Sequence, residues 1–200
     1  NRKEFWIYMN NKLNIVFKSI ISPKILIGNT WYPQSNINII ESCFNGKLSH
    51  IAVITPFDKI TYKQLLNDVN SFSSLLIHTH FKPNDKIALC MPMNYKSVVA
   101  YLAIIKMGAV VVSIADSFSS SQINKRLDIS KSNAIFTMKS YQRNGKDINL
   151  FERISTSINK IDIEKFWAKM KPNKENKYHF GTRDINILFS SGTTGEPKAI

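Results

Sequence analysis

Short apolar runs alternate along this chain with longer segments in which apolar residues recur every three or four positions. The runs predict buried strands, because a central strand of a parallel sheet is covered on both faces: KIALCM, AVVVSI, NAIFTM and DINILF. Between the runs the period is helical, as in the stripe formed by Leu65, Val69, Phe72, Leu75 and Leu76. This alternation indicates an α/β fold, with mostly parallel sheets flanked by helices.

Polar residues ahead of the periodic segments predict where helices begin. The predicted N-caps are Asn36, Thr61, Asn94 and a serine within 119–121. Gly108 predicts a left-handed stop for the helix that begins after Asn94 and ends near Met107. The apolar stretch Ser97–Ala115 is therefore predicted to be a helix followed by a strand, and not a membrane span.

The remaining segments have weaker patterns. Apolar residues from Phe5 to Val16 predict a surface helix, and the residues from His50 to Thr61 predict two strands with a turn at Phe57–Asp58. The lysine-rich stretch from Lys139 to Arg183 predicts two short helices, around Leu150–Ile158 and Ile163–Lys169. The last strand is predicted at Asp184–Phe189.

Composition changes the picture only slightly. The hydrophobic fraction of 44% in 200 residues excludes a disordered tail. The net charge of +13 could indicate an anionic partner, but the lysines are scattered among asparagines and isoleucines, so we expect no nucleic acid partner. Two distant cysteines, Cys43 and Cys90, favour a reduced intracellular compartment, most simply the cytoplasm with an organelle as the alternative, and no disulfide framework.

The segment SSGTTGEPK directly follows the last predicted strand, at the edge of a sheet where ligands bind in α/β folds. It contains hydroxyl donors, two glycines and a lysine: Ser190, Ser191, Gly192, Thr193, Thr194, Gly195 and Lys198. Glycines let backbone N–H groups converge on one anion, and Lys198 adds a positive charge. The segment therefore predicts a loop that binds a polyphosphate, most simply ATP.

Other phosphate-binding loops have a different spacing. A Walker loop has four residues between its glycines and Ser or Thr after its lysine. Here two residues separate Gly192 from Gly195, and Ala199 follows Lys198. A dinucleotide-binding fingerprint also fails on spacing. An ordinary surface loop remains the alternative.

SSGTTGEPK resembles the signature of the adenylate-forming superfamily, which includes acyl- and aryl-CoA synthetases, luciferases and peptide-synthetase adenylation domains. The signature reads Ser/Thr, Ser/Thr, Gly, Ser/Thr, Thr, Gly, any residue, Pro, Lys, and every specified position is met. Other segments are similar to acetyl-CoA-synthetase-like acyl-activating enzymes: FW with the following WYP, ITYKQL, DKIALCMPMNYKSVVAYLAIIKMGAVVVSI and SIADSFSSSQINKRLDISKSNAIFT.

The resemblance implies a ligase that uses ATP, Mg²⁺ and coenzyme A to activate a carboxylate, with acetate or a short-chain acid as the expected substrate. Residues 190–195 would bind the β- and γ-phosphates, and Lys198 would neutralise or anchor them. Residues 1–44 would form an acetyl-CoA-synthetase-like N-terminal segment, and residues 45–200 part of an AMP-binding domain. The acyl pocket, the magnesium ligand and the C-terminal catalytic lysine would follow Ile200, so we expect these residues alone to be inactive.

For three further sites, a functional role and an ordinary structural role are both consistent with the sequence. By the resemblance, Arg126 would contact coenzyme A phosphate, but an exposed helical arginine has the same local sequence. Asp116 follows a strand, where it could be functional or could cap the next helix. His78 and His80 have no third ligand at metal spacing, which favours a surface pair. Medium-chain or aryl-CoA ligases, and a non-catalytic basic module that binds anions, remain alternative functions.

Overall fold

The structure, a computed structural model, describes residues 2–13, 15–16, 18–19, 26–27, 30–31, 35–175, 177–180, 184–191 and 196–200. The helices within them are α1 (Arg2–Lys12), α2 (Ile39–Cys43), α3 (Tyr62–His78), α4 (Tyr95–Lys106), α5 (Ser120–Ser130), α6 (Leu150–Arg153) and α7 (Ile163–Trp167). The first strands are β1 (Lys18–Ser19), β2 (Leu26–Ile27), β3 (Thr30–Trp31), β4 (Ser35–Asn36), β5 (Ile51–Ile54), β6 (Lys59–Thr61), β7 (Lys86–Leu89) and β8 (Val110–Ser113). They are followed by β9 (Ala134–Thr137), β10 (Tyr141–Arg143), β11 (Lys146–Ile148), β12 (Asn159–Asp162), β13 (Asn186–Ile187), β14 (Phe189–Ser191) and β15 (Pro197–Ala199).

The main sheet has five parallel strands in the order β12-β9-β7-β8-β13. The other paired strands within the described residues form two-stranded antiparallel units. All residues of β9 are buried, as expected for a central parallel strand with helices on both faces. The predicted α/β fold with a parallel sheet is therefore confirmed.

Alternate residues of each strand contribute to different cores, because successive side chains of a strand point to opposite faces. On one face, Ile87 and Leu89 pack with α3 and α4, and the same cluster includes Ile40 and Phe44. On the other face, Ala88 and Cys90 belong to a cluster with buried residues of α5 and α6.

The helix starts confirm three of the four predicted caps. Thr61 caps α3 with Gln64 as its reciprocal partner, Asn94 Oδ1 accepts a hydrogen bond from Ser97 N at 2.9 Å, and Ser119 caps α5. Gly108 has φ 82° and ends α4 in the left-handed region, as predicted. No described helix is long and apolar enough to cross a membrane.

The prediction that Asn36 caps a helix is wrong. Asn36 ends β4, and Asn38 caps α2 by accepting a hydrogen bond from Ile40 N at 3.1 Å. The Asn38 side chain also donates to the carbonyl oxygens of Ile105 and Lys106, at 3.0 and 3.1 Å. Those carbonyls lie at the C-terminus of α4, where helix carbonyls have no intrahelical partners, so this long-range contact selects Asn38.

Several predicted boundaries also differ. The strand expected at Asp184–Phe189 is divided, because Leu188 leaves the sheet and exchanges backbone hydrogen bonds with Ile200. The two short helices are present but end earlier, at Arg153 and Trp167. Strand β12 lies between them, and the β10–β11 hairpin was not predicted. The N-terminal surface helix is confirmed as α1, on which Phe5 is 53% exposed.

Candidate phosphate-binding site

The candidate site is a hairpin that follows the edge strand of the main sheet. Because β13 pairs in parallel with β8, the chain emerges at the carboxyl edge of the sheet. Strands β14 and β15 then pair antiparallel, with register partners Phe189–Ala199, Ser190–Lys198 and Ser191–Pro197. This hairpin brings the two ends of SSGTTGEPK together.

Three of the seven residues predicted to bind phosphate lie within the described part of the chain. Ser190 and Lys198 are directly opposite each other, so their side chains share one face of the hairpin, and both are exposed. Ser191 pairs with Pro197. The others lie outside the described residues: Gly192, Thr193, Thr194 and Gly195.

The prediction that the entire segment is a loop is wrong for its ends. Ser190, Ser191, Pro197 and Lys198 lie in paired strands. The physical reason is that pairing provides partners for backbone N–H and C=O groups on both arms. Pro197 lacks an N–H donor, and it is tolerated because the hairpin is a separate two-stranded unit.

The chemistry available at the described ends suits an anion. The Ser190 hydroxyl can donate to a phosphate oxygen, and the Lys198 ammonium supplies three donors and a full charge. Hydrogen bonds between charged partners are roughly twice as strong as neutral ones. A hydroxyl and an ammonium on one open face can therefore bind a phosphate.

Arg126 lies next to this hairpin rather than on a free helix surface. Its guanidinium carbon is 3.9 Å from the centroid of the Phe118 ring and 5.5 Å from that of Phe189. Its Nη1 donates to the Gln122 carbonyl at 2.9 Å. Its Nε is buried and has no hydrogen-bond partner among the described residues. The neighbouring Lys125 forms an ion pair with Glu196.

Asp116 is not a helix cap, since Ser119 caps α5. Its carboxylate accepts a hydrogen bond from the Tyr141 hydroxyl and lies 3.8 Å from Arg143 Nη1. Arg153 donates to the Asp116 carbonyl oxygen. Burial, and then the hydrogen bond to Asp116, raise the pKa of Tyr141. Asp116 thus fixes the β10–β11 hairpin against the carboxyl end of β8.

This cluster was not predicted because the hairpin was not predicted, although the sequence contains a turn signal. Residues 144–145 read Asn-Gly, the commonest pair for a two-residue hairpin turn. Asn144 has φ 51° and Gly145 has φ 73°, as a type I′ turn requires.

Two other groups are not candidates for nucleophiles or metal ligands. Burial, with the nearby Asp116 carboxylate, raises the pKa of the Cys90 thiol to about 12, so it stays protonated at neutral pH. His78 Nδ1 donates to the Ser74 carbonyl at 2.7 Å. Among the described residues, no three His, Cys, Asp or Glu side chains lie close enough to share a metal ion.

An apolar cavity of about 430 Å³, which sequence analysis did not predict, opens between α4 and the ends of β7 and β8. Its lining includes Leu89, Met91, Val98, Tyr101 and Ile114. This lining suits apolar groups and not phosphates, which separates the cavity chemically from the hairpin.

Comparison with known proteins identifies the family. A family model described as AMP-binding enzyme matches residues 41–200. The chain belongs to the AMP-binding enzyme family.

Three curated relatives of this AMP-binding chain are named as an acyl-activating enzyme, an acyl-CoA synthase and an acetyl-CoA synthetase. The probable acyl-activating enzyme 18, peroxisomal, of Arabidopsis thaliana is 32% identical over 98% of the chain and 33% of its own length. Hexanoyl-CoA synthase of Cannabis sativa is 34% identical over 86% of the chain and 29% of its own length. Acetyl-coenzyme A synthetase of Bdellovibrio bacteriovorus is 27% identical over 98% of the chain and 35% of its own length. The chain thus spans about one third of these relatives.

Solved structures agree with the fold. The N-terminal subdomain of Klebsiella oxytoca NpsA, solved with 3-hydroxybenzoyl-AMSN, superposes with a TM-score of 0.67. The superposition covers 82% of this chain and 40% of the NpsA subdomain chain at 18% identity. At this identity the likeness shows the fold, which is that of the N-terminal part of adenylate-forming enzymes.

Proposed function

We propose that the complete polypeptide containing this chain is an AMP-forming acid–thiol ligase that makes an acyl-CoA from a carboxylate, ATP and coenzyme A. The observation that carries this proposal is the pairing of Ser190 with Lys198 at the base of SSGTTGEPK. Residues 1–44 would serve as the N-terminal segment, and residues 45–200 as part of the AMP-binding domain. Acetate or another short-chain acid is the proposed substrate.

In the first step, a carboxylate oxygen of the acid attacks the α-phosphorus of ATP. A P–O bond to the β-phosphate breaks, and the products are an acyl-adenylate and pyrophosphate. Negative charge accumulates on the transferred and leaving phosphates, and fixed donors stabilise it without reorganisation. We assign this role to the Ser190 hydroxyl, the Lys198 ammonium and residues 191–195, with Mg²⁺ accompanying ATP.

In the second step, the coenzyme A thiolate attacks the acyl carbon and AMP leaves. The contact of Arg126 with coenzyme A phosphate stays a prediction. The compartment of the protein also stays a prediction.

The test is ATP–pyrophosphate exchange by the complete polypeptide, with acetate as the acid. Replacing Thr193 and Lys198 together by Ala should reduce the exchange rate by on the order of 100-fold, because phosphate donors are lost in the transition state. The exposed Lys63 on α3 provides the control variant Lys63→Ala, which should match the wild type. Unchanged exchange in the double variant would refute the role of the hairpin.

A medium-chain acid is the second candidate substrate, favoured by the 34% identity to hexanoyl-CoA synthase. The same exchange assay with acetate, hexanoate and benzoate ranks the acids by kcat/KM. A wild-type protein that exchanges with none of them, yet binds polyanions, would favour the non-catalytic anion-binding module instead.

A further inference from the structure

Helix α5 contacts both arms of the hairpin that carries the phosphate-binding segment. Arg126 lies near the ring of Phe189 on the first arm, and Lys125 pairs with Glu196 at the start of the second arm. Adjacent helical residues point in different directions. Lys125 and Arg126 can therefore reach two arms that are seven residues apart in sequence, at 189 and 196.

The side chain of Arg126 is held on several sides. Its guanidinium stacks on Phe118 at 3.9 Å, and its Nη1 is occupied by the Gln122 carbonyl. Its Nε is buried without a partner in the described part of the chain. A buried donor without a partner costs free energy, so a planar cation retained here needs a compensating contact. The cation–π contacts of Arg126 with the Phe118 and Phe189 rings provide one.

The pair between Lys125 and Glu196 is of a different kind. The two side chains are 44% and 59% exposed, so the pair contributes little to global stability. It does connect α5 to the residue that precedes β15, and α5 also packs against β15. A weak contact of this kind can still determine where the second arm lies, and a site that is already positioned loses less entropy on binding.

We propose that α5 is a positioning element for the phosphate-binding segment, and that Lys125 and Arg126 are its positioning residues. Arg126 fixes the first arm through Phe189, and Lys125 fixes the second arm through Glu196. Fixing both arms lowers the entropy that is lost when Ser190 and Lys198 bind the phosphates of ATP. This inference rests on the proposed function.

A charge exchange across the Lys125–Glu196 pair tests the proposal in the complete polypeptide. Lys125→Glu and Glu196→Lys each place like charges together, and each should raise the KM for ATP in pyrophosphate exchange by about two- to fivefold. The double variant restores an ion pair and should return the KM to within about twofold of the wild type. The kcat should change less than the KM. Lys63→Glu, the same charge change on an exposed position of α3, should have no effect.

Hydrogen–deuterium exchange on the same variants reports on the hairpin without requiring activity. Amides of β14 and β15 should exchange faster in each single variant and at the wild-type rate in the double variant. Unchanged hairpin exchange in both single variants would overturn the proposal, and so would faster exchange with an unchanged KM for ATP. A wild-type protein without pyrophosphate exchange would instead show that the proposed function itself is wrong.

Arg126 requires a separate test, because a contact with coenzyme A would also make it important. If Arg126 positions the first arm, Arg126→Met should raise the KM for ATP in pyrophosphate exchange, a reaction without coenzyme A, by about two- to fivefold. Arg126→Lys, which keeps the charge and loses the planar stacking, should show a similar increase. A variant that raises only the KM for coenzyme A would assign Arg126 to thioester formation and overturn its positioning role.

Discussion

At the residue scale, Lys106 is the most unusual side chain of the core. It is 1% exposed, and its Nζ lies 3.3 Å from the centroid of the Tyr178 ring. Burial lowers the pKa of Lys106 from 10.5 to about 8, an effect that Glu41 partly opposes. Between pH 8 and 10.5 the unfolded chain therefore binds more protons at this lysine than the folded chain. The contribution of Lys106 to the free energy of unfolding rises with pH across this window.

The variant Lys106→Met should remove this pH dependence. The free energy of unfolding of the wild type should therefore increase relative to that of the variant as the pH rises from 7 to 10. Each unit by which the pKa is lowered corresponds to about 1.4 kcal/mol. Urea unfolding of the complete polypeptide at several pH values measures the difference. Lys63→Met provides the control, because Lys63 is exposed and should leave the pH profile unchanged. If the free energies of unfolding of wild type and Lys106→Met changed in parallel with pH, Lys106 would not be the source of the pH dependence.

At the element scale, the β10–β11 hairpin depends on backbone conformation at its turn. Gly145 has φ 73° and no heavy atom within 4 Å of an added Cβ, so Gly145→Ala introduces only backbone strain. We expect a loss of about 1–2 kcal/mol in the free energy of unfolding. Gly46 also has open space and lacks a positive φ, so Gly46→Ala should be neutral or stabilising by about 0.4–1 kcal/mol. Thermal unfolding of both variants measures the sign of each change in stability. Equal changes for Gly145→Ala and Gly46→Ala would show that backbone strain at the turn does not determine the loss.

Elements with local signals were predictable, and those with long-range causes were not. Thr61, Asn94 and Ser119 were identified because a cap bonds to its own helix within three residues. The local sequence wrongly favours Asn36 over Asn38, because the contacts that select Asn38 come from α4, more than sixty residues away. Strand β12 is short and has a partly polar sequence, and only its pairing with β9 makes it a strand.

At the scale of the whole molecule, the sequence was sufficient for the fold class and for the segment that carries the candidate site. The apolar strands and periodic helices are repeated signals, so the parallel sheet could be predicted from them. The contacts that surround the site could not, since Lys125 meets Glu196 and Arg126 meets Phe189 only after the chain folds. Motif spacing predicts the ligand-binding residues, whereas packing determines which side chains lie against them.

We expect the sheet to separate stability from the proposed ligand binding, and this separation can be tested. Phe136 in β9 is fully buried, and its ring centroid lies 4.9 Å from that of Phe166 and 5.7 Å from that of Phe72. In the sheet order β9-β7-β8-β13, Phe136 is three strands from the hairpin edge, or roughly 14 Å at about 4.8 Å per strand. Effects of mutations at this separation usually add.

We therefore expect Phe136→Leu to lower the free energy of unfolding of the complete polypeptide by about 1–3 kcal/mol. Magnesium-ATP at about 100 times its Kd should stabilise wild type and Phe136→Leu equally, by about 2.7 kcal/mol. Lys198→Ala should keep the unliganded stability and lose most of the stabilisation by ATP, because its ammonium belongs to the proposed site and is exposed rather than part of the core. Chemical unfolding with and without ATP measures both quantities. Loss of the ATP effect in Phe136→Leu would show that the core and the hairpin are coupled across the sheet, which would rule out independent contributions from the two regions.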